Sequence, residues 1–288
     1  MNTRTRTEPT RPEDWVGRSE TRDGRLTMEI AGMLAVSTGH HSAPPPDFAP
    51  GAPMPPLWHW AAFPEFAPMS ALGEDGHPRT GGFLPPVPLP RRMWAGGALS
   101  FEGALHIGER LGRRSEILSV EEKTGGAGPM VFVSVRHEIS GAKGRVEERQ
   151  DIVYLQIPAE FRLPKPTPAP EAVDWEEGLE AGPARLFRFS AATFNSHRIH
   201  YDQPYAREVE KYPGLVVHGP LQAILLIEAG ARHAGAAPSA FRFRGVSPMF
   251  HDQPLRLVGR REPEAPAMTL CTVADGRQGM QARLEWAQ

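Results

Sequence analysis

Apolar side chains recur at helical spacing in two segments of the chain. In the segment Thr27 to Val36, they follow Leu26 at intervals of three and four residues. The second segment, Leu221 to Ala234, has its apolar face at Leu221, Ile224, Leu225 and Ile227. Because this spacing places side chains on one face of an α-helix, the sequence predicts one short amphipathic helix and one longer, strongly apolar helix.

Apolar and polar residues alternate in most of the remaining chain, which is typical of antiparallel strands. In the first half, the predicted strands are Ala98–Phe101, Gly108–Val120, Met130–Ile139 and Glu147–Gln156. In the second half, they are Ala184–Phe189, Phe241–Val246, Pro254–Arg261, Met268–Ala274 and Met280–Trp286. The glycine-rich stretch Glu121–Pro129 predicts a hairpin turn, because no Lys-Ser or Lys-Thr helix start follows it, as a phosphate-binding loop would require.

Three proline-rich segments interrupt these patterns: Ala43–Pro56, Gly81–Pro90 and Ile157–Gly182. Proline lacks a backbone N–H and resists regular structure, and the last segment is predicted to be an extended, semi-rigid linker. We therefore expect an N-terminal domain at residues 1–160, a linker at 161–182 and a C-terminal domain at 183–288. Each domain begins with helix and loop material and continues into an antiparallel sheet.

Composition and charge exclude several classes of function. The 288 residues are 40% hydrophobic and 23% charged, which predicts a packed core. A net charge of -2 provides no general attraction for nucleic acid or an anionic membrane, and no apolar run approaches the roughly 18 residues of a membrane span. The single cysteine, Cys271, is expected to be a buried strand thiol in a reducing compartment. We expect the cytoplasm, or the mitochondrion only in a eukaryote.

The segment Phe194 to Asp202 concentrates polar and ionisable side chains. Within it, His200 can accept or donate a proton near neutral pH. Asn195, five residues earlier, can hold a water molecule through its amide. A lone histidine is usually structural, so the functional interpretation of His200 depends on the residues that follow.

A second cluster, Val217-His218-Gly219-Pro220, opens the predicted apolar helix. Gly219 permits close approach of a ligand to the backbone, and Pro220 suits the first helical turn. Free N–H groups and the positive end of the helix dipole would face a ligand there. The sequence therefore predicts a site that stabilises a carbonyl oxygen as it becomes an enolate, although an ordinary Gly-Pro helix start has the same pattern.

A metal site is the alternative use of these histidines. His197, His200, Asp202 and His218 carry the side chains that zinc prefers. However, His197 and His200 do not form a His-Glu-x-x-His helix, and Cys271 lies elsewhere. We therefore expect no metal.

At these residues the chain resembles the MaoC-like hydratase/dehydratase family, which has the hot-dog fold. The family motif Gly-Asp-x-Asn-Pro-x-His carries its catalytic aspartate and histidine. Asn195 stands at the aspartate position and His200 at the histidine position, whereas His197 and Arg198 replace asparagine and proline. The segment containing Gly219 is similar to the start of the family's central helix, whose glycine amide binds the thioester oxygen.

The replacement at Asn195 matches a subgroup of that family. Together with Leu84–Gly97, the segment Phe194 to Asp202 resembles the double hot-dog hydratases of mesaconyl-C4-CoA and itaconyl-CoA. The resemblance extends from Trp15 to Trp286 and implies an α+β fold with two curved antiparallel sheets, each wrapping a central helix. The N-terminal hot-dog is expected to be non-catalytic, because it does not repeat the Asn-x-His-x-x-His pattern.

The resemblance also implies the reaction, which is reversible addition of water to a 2-enoyl-CoA. The expected substrate is a branched C5 dicarboxylyl-CoA, either mesaconyl-C4-CoA or itaconyl-CoA, and the product is citramalyl-CoA. The expected catalytic residues are His200, Asn195 and Gly219. The expected substrate-binding residues are Arg91, Arg92, Trp94, His197, Arg198 and His218, among which the arginines are candidates for the free carboxylate. No cofactor is expected, since CoA is part of the substrate. A homodimer is also expected.

Three other functions stay open at this point. The same site run in reverse would be a 3-hydroxyacyl-thioester dehydratase of fatty-acid synthesis. Hot-dog folds also hydrolyse thioesters. A protein whose catalytic carboxylate has been replaced by Asn195 could instead be a non-catalytic module that binds acyl-CoA.

Overall fold

The computed structural model describes residues 11–39, 48–125 and 128–287. Ten antiparallel strands are formed by these residues. Those of the N-terminal half are β1 (Ser19–Gly24), β2 (Arg91–Gly103), β3 (Leu111–Gly125), β4 (Gly128–Ser140) and β5 (Gly144–Leu155). Those of the C-terminal half are β6 (Trp175–Glu180), β7 (Pro238–Gly245), β8 (Pro254–Arg261), β9 (Ala267–Ala274) and β10 (Arg277–Trp286).

The two halves of the sheet have the same strand order. The complete order is β1-β3-β4-β5-β2-β7-β10-β9-β8-β6. Counted from each end, both halves place their first, third, fourth, fifth and second strands in succession. The halves join where β2 pairs with β7, from Gly96 opposite Arg244 to Ser100 opposite Ala240. One supersecondary unit therefore occurs twice, joined edge to edge through its second strand.

The described residues form three α-helices: α1 (Met28–Thr38), α2 (Pro183–Ala192) and α3 (Gly219–Ala234). α1 follows β1 and α2 follows β6, so this part of the unit is also repeated, and α1 packs against α2. α3 packs on the strands β7 to β10. Its apolar residues are buried in a core shared by both halves, and each fully buried leucine or isoleucine contributes about 1.5–3 kcal/mol.

Both predicted helices are confirmed, and the residues at their ends explain where they begin and end. The Thr27 side chain accepts a hydrogen bond from the backbone N–H of Ile30 at 3.3 Å and caps α1. α3 starts with Gly219 and Pro220 and ends at Gly235, whose φ of 68° is left-handed. The apolar face predicted for α3 is buried.

The predicted strand Ala184–Phe189 is wrong, because these residues lie in α2. Pro183 occupies the first helical position, where its fixed φ favours a helix. Leu186, Phe189 and Ser190 are buried, and their spacing of three and four residues is helical. So short a segment fits both the alternating pattern of a strand and the spacing of a helix, and periodicity alone does not distinguish them.

Most other strands are confirmed with shifted ends. The predicted turn Glu121–Pro129 is too long, since β3 continues to Gly125 and β4 begins at Gly128. The hairpin itself is confirmed by the pairing of those two glycines, while residues 126–127 lie outside the described chain. β2 starts at Arg91 rather than near residue 98, and residues 43–47 of the first proline-rich segment are not described.

The proline-rich segment at 161–182 contains β6, which pairs with β8 at the edge of the sheet. The three-part division of the chain stays a prediction. Cys271 lies in β9 and is buried as expected, and burial raises the pKa of its thiol to about 11. Within the described ranges, none of the helices has the length and apolar character needed to cross a membrane.

Candidate active site

The loop that follows α2 is held in shape by Asn195. Phe194 has a left-handed φ of 52°, which turns the chain at the end of the helix. The backbone N–H of Asn195 donates to the Ser190 carbonyl at 2.8 Å. Its side-chain Oδ1 accepts from the backbone N–H of His197 at 3.0 Å. The carboxamide therefore fixes the loop through its oxygen, and its NH₂ group is the part that can contact a ligand.

His200 lies on a short 3₁₀ turn and is buried. Its Nδ1 donates a hydrogen bond to the Val216 carbonyl at 2.7 Å. This contact assigns the proton to Nδ1 and leaves a lone pair on Nε2. Burial lowers the pKa of His200 to about 4, so the imidazole is neutral near pH 7 and its Nε2 can accept a proton.

His218 supports the ring of His200 from one side. The two rings stack with centroids 3.7 Å apart and planes 21° apart. The Nε2 of His218 lies 2.8 Å from Ser190 Oγ, and its side chain is fully buried. Burial, followed by the charge of His200, holds the pKa of His218 well below its usual range. The side chain is therefore placed to position His200, beneath the surface that a ligand would reach.

Gly219 is the first residue of α3, directly after His218. The first backbone N–H groups of a helix have no partner within the helix, and the helix dipole makes this end positive. A Cβ added at Gly219 would lie 3.9 Å from the Trp94 carbonyl oxygen, so β2 passes close to the helix start. A carbonyl oxygen bound at the Gly219 amide would lie beside the His200–His218 pair.

Trp94 approaches the helix start through its backbone carbonyl, while its ring packs against other aromatic residues. Its ring contacts Trp60 with centroids 4.6 Å apart and Phe243 with centroids 5.9 Å apart. The indole Nε1 donates to the Gly96 carbonyl at 2.8 Å. The ring is partly buried and held on several sides, and the substrate-binding role expected for Trp94 stays a prediction.

The N-terminal half adds two groups that were not anticipated from the sequence. The His77 ring lies 4.1 Å from the His197 ring, which in turn lies 5.3 Å from the His200 ring. His77 Nδ1 is 2.7 Å from Asp75 Oδ2. The short Asp-Gly-His run between two proline-rich segments was the available signal, but the sequence does not show which loop it meets.

The loop carrying Asp75 and His77 packs directly on the loop of His197. Ser196 Oγ donates to the Gly76 carbonyl at 2.5 Å, and the Arg198 backbone N–H donates to the Asp75 carbonyl at 2.9 Å. Gly76 has a φ of 88°, and a Cβ there would lie 2.0 Å from the Ser196 carbonyl oxygen. Only glycine allows this approach.

The three candidate arginines have different surroundings. Arg91 is buried and pairs with Glu210, with Nε 2.7 Å from Oε2. Arg198 pairs with Asp202 at 2.7 Å and lies over the Tyr205 ring. Arg92, in contrast, makes no ion pair with any carboxylate of the described residues.

The charge of Arg92 nevertheless reaches the histidines. After burial, it is the main cause that lowers the pKa of His77. Burial lowers the pKa of His197 well below its usual range, with smaller contributions from His77, His200 and Arg92. Arg92 also helps to lower the pKa of Asp75, so its positive charge is shared between that carboxylate and the imidazole cluster, where a further anionic group would be stabilised.

Ligand atoms suitable for a metal ion occur in Asp75, His77 and His197, within 4.8 Å of one another. Two features oppose a cation at this cluster. Asp75 already accepts from His77 Nδ1, and the positive charge of Arg92 acts on both histidines. Among the zinc ligands considered in the sequence, Asp202 is already paired with Arg198. The expectation of no metal stays a prediction.

Comparison with known proteins shows the family to which the chain belongs. Residues 57–251 match the family described as hydroxyacyl-thioester dehydratase type 2. A mesaconyl-C(4)-CoA hydratase of Chloroflexus aurantiacus is 44% identical over 250 residues, which cover 85% of this chain and 88% of the relative. The chain belongs to the hydroxyacyl-thioester dehydratase type 2 family.

Solved structures agree on the fold. A MaoC-like dehydratase superimposes with a TM-score of 0.70 at 12% identity, over 94% of this chain and 98% of that one. A Mycobacterium tuberculosis protein described as a double hotdog fold gives 0.57 at 12% identity, over 93% and 95%. The α+β double hot-dog and the MaoC-like resemblance are confirmed. This member of the family is an enzyme, a hydro-lyase of the hydratase/dehydratase class that acts on acyl-CoA thioesters.

Proposed function

We propose that this hydro-lyase adds water reversibly to a branched C5 dicarboxylyl-CoA, with citramalyl-CoA as the product. Mesaconyl-C4-CoA is the favoured substrate, and itaconyl-CoA is the second. The observation that carries the proposal is Arg92, a cation without an ion pair among the described residues, beside the buried imidazoles. The 44% identity to a mesaconyl-C(4)-CoA hydratase supports the same substrate.

The thioester carbonyl binds at the start of α3. Its oxygen accepts a hydrogen bond from the Gly219 amide, and the helix dipole stabilises the negative charge that develops as the enolate forms. This polarisation makes the β carbon electrophilic. Trp94 borders the same point through its carbonyl, which lies near Gly219.

His200 performs the proton transfers. Its Nε2 takes one proton from the attacking water while the water oxygen bonds to the β carbon. The resulting imidazolium gives that proton to the α carbon, which returns His200 to its neutral form. Asn195 contributes its side-chain NH₂ to hold the water, since its oxygen is bonded to the His197 N–H.

Arg92 binds the second carboxylate of the substrate. A guanidinium is suited to a carboxylate because it donates two parallel hydrogen bonds. Arg91 and Arg198 are less available, since each is held by a carboxylate of the protein. His197 and His218 each contact the ring of His200, and their role in substrate binding is part of this proposal.

The second candidate is dehydration of a 3-hydroxyacyl thioester, which the family description favours. It uses the same groups in the opposite direction: His200 removes the α proton, and the hydroxyl leaves as water. A monocarboxylic acyl chain would not need Arg92, so the two candidates differ in substrate rather than in catalytic residues.

The test compares mesaconyl-C4-CoA with crotonyl-CoA, which lacks the second carboxylate. Hydration removes the enoyl-thioester absorbance without releasing thiol, whereas hydrolysis releases thiol. In Arg92→Met, KM for mesaconyl-C4-CoA should rise about 10- to 100-fold, because a charged hydrogen bond contributes about 1.5–3 kcal/mol. The parameters for crotonyl-CoA should stay unchanged.

Arg198→Met is the matched control, since its guanidinium is held by Asp202, and it should change the preference between the two substrates little. Equal losses on both substrates in Arg92→Met would contradict the carboxylate role. A His200→Gln variant with wild-type turnover would contradict the mechanism. Binding without any conversion would indicate the non-catalytic module. The homodimer stays a prediction.

A further inference from the structure

His197 contains a buried polar atom without a partner. The side chain is 4% exposed, and its Nε2 has no hydrogen-bonding partner among the described residues. Leaving a buried polar atom unpaired costs about 1–3 kcal/mol. Such an atom at the centre of an active site indicates a position where a small polar ligand binds.

His77, whose ring centroid lies 4.1 Å from that of His197, presents a free nitrogen lone pair. Asp75 binds it twice, since Oδ1 accepts the His77 backbone N–H at 3.0 Å and Oδ2 lies 2.7 Å from Nδ1. The carboxylate can only accept, so Nδ1 carries the proton and Nε2 is left as an acceptor. Asp75 therefore fixes which nitrogen of His77 is free.

The imidazoles form a row that leads away from the start of α3. His218 contacts His200, His200 contacts His197 and His197 contacts His77. A thioester carbonyl at Gly219 places its α carbon next to the beginning of this row. In the binding mode that we infer, the β carbon is one bond further along and faces His197 and His77.

We propose that His77, held by Asp75, and His197 bind the water that His200 deprotonates, so that the N-terminal half completes the catalytic site. This inference rests on the proposed hydration. It assigns a water-binding role to His77 and a positioning role to Asp75, which acts through the tautomer of His77.

The step balances with one water molecule. One hydrogen of the water passes to His200 Nε2 and then to the α carbon. The oxygen bonds to the β carbon, the carbon–carbon π bond breaks, and the second hydrogen stays on the oxygen as the product hydroxyl. That second hydrogen is donated to the free nitrogen of His77 throughout. Because the water has no third hydrogen, His197 Nε2 takes part as an N–H donor to the oxygen, beside the Asn195 NH₂ group and on the lone pair that does not form the new bond.

Asp75→Asn is the most informative variant, because it changes a tautomer rather than a shape. The backbone N–H of His77 requires an oxygen at the position of Oδ1, so the new amide NH₂ faces Nδ1. It donates there and moves the imidazole proton to Nε2, which turns the acceptor into a donor. We expect kcat to fall about 10- to 100-fold, with KM and the melting temperature nearly unchanged.

His77 is tested by two replacements. His77→Ala removes the acceptor, and kcat should fall about 100-fold, as for a misplaced reactant. His77→Gln keeps an acceptor oxygen, and its kcat should be at least about five-fold higher than that of His77→Ala. His106→Ala is the matched control: its side chain is 22% exposed, like His77, and also lies near a carboxylate, that of Glu109. It should keep wild-type kcat.

The outcomes separate this inference from the proposed substrate. Losses of kcat in Asp75→Asn and His77→Ala that are equal on mesaconyl-C4-CoA and crotonyl-CoA support the water site. Wild-type kcat in both variants overturns it. An increase in KM confined to mesaconyl-C4-CoA also overturns it, because His77 would then bind the carboxylate. If the wild type prefers another enoyl thioester, the proposed substrate fails, and the same variants test the water site with that thioester.

Discussion

The imidazole ring of His200 stacks on that of His218, with centroids 3.7 Å apart. Two stacked, buried imidazoles cannot both carry a charge at low cost, and the pKa of each lies below its ordinary value. His218 is itself tied to α2 through Ser190. The orientation of the acid/base residue is thus set by a fully buried side chain.

This relationship predicts the behaviour of a double variant. His218→Phe keeps a ring under His200 but leaves Ser190 Oγ without its partner, so the free energy of unfolding should fall by about 1–3 kcal/mol. Replacing both partners by apolar groups can be nearly neutral, so His218→Phe with Ser190→Ala should recover most of that stability. Chemical denaturation and kcat are measured for both variants.

A second replacement of His218 serves as the control for this prediction. His218→Ala removes the stacking surface and leaves a cavity, which should cost about 3–5 kcal/mol by analogy with other large-to-small aromatic replacements and lower kcat more than His218→Phe. Loss of turnover in a well-folded His218→Phe variant would show that the nitrogens of His218, rather than its ring, are needed.

Local patterns in the sequence were sufficient for much of the fold. Alternation located the strands β8, β9 and β10 closely, and the Gly219-Pro220 pair located the start of α3. These features depend on neighbours within a few residues. The short α2 was misassigned, because its ten residues fit both periodicities and tertiary burial of Leu186 and Phe189 decided the outcome.

The site was only partly predictable for a physical reason. Asn195, His197 and His200 lie in one loop, and His218 and Gly219 follow within one connection, so their sequence spacing already suggests proximity. Asp75 and His77 come from the other half of the chain, more than 110 residues earlier. Their contact with His197 depends on how the two loops pack, and no local pattern encodes that packing.

Gly76 predicts how sensitive catalysis is to this packing. In Gly76→Ala the new Cβ would lie 2.0 Å from the Ser196 carbonyl oxygen, so the two loops must separate. A shift of about 1 Å can lower kcat about 100-fold. Gly108→Ala is the control, because Gly108 has nearly the same φ, 86°, and nothing within 4 Å of its added Cβ.

Both glycine variants should lose about 1–2 kcal/mol for a left-handed residue with a Cβ, and Gly76→Ala should lose more because its Cβ meets the Ser196 carbonyl oxygen. Only Gly76→Ala should lose turnover. Thermal unfolding and steady-state rates are measured for the two proteins side by side. The comparison separates the effect of backbone strain at the glycine from the effect of moving the Asp75–His77 loop. Equal turnover in the two variants would show that the position of the Asp75–His77 loop is unimportant for the reaction.

Glu228 predicts a dependence of stability on pH that opposes the buried histidines. It lies in α3, and its Oε1 accepts from Trp58 Nε1 at 2.7 Å. Burial raises its pKa from 4.5 to about 7, although Trp58, Arg232 and Thr38 lower it. The folded protein therefore binds a proton more tightly than the unfolded chain does between these two values.

The sign of the effect follows from that difference. The stabilisation by Glu228 is complete below pH 4.5 and is lost as the pH rises through about 7, up to about 3 kcal/mol for this shift. His200 acts oppositely: its lowered pKa makes the folded protein lose stability as the pH falls from about 6.5 towards 4.

Glu228→Gln keeps an acceptor for Trp58 but cannot ionise. Its free energy of unfolding should exceed that of the wild type by about 1–3 kcal/mol at pH 8 and match it at pH 4.5. Glu102→Gln, at an exposed glutamate, should give a difference that does not change with pH. Denaturant titrations at the two pH values measure these differences, and a Glu228→Gln gain of the same size at both would mean that Glu228 is ionised in the folded protein over the whole range.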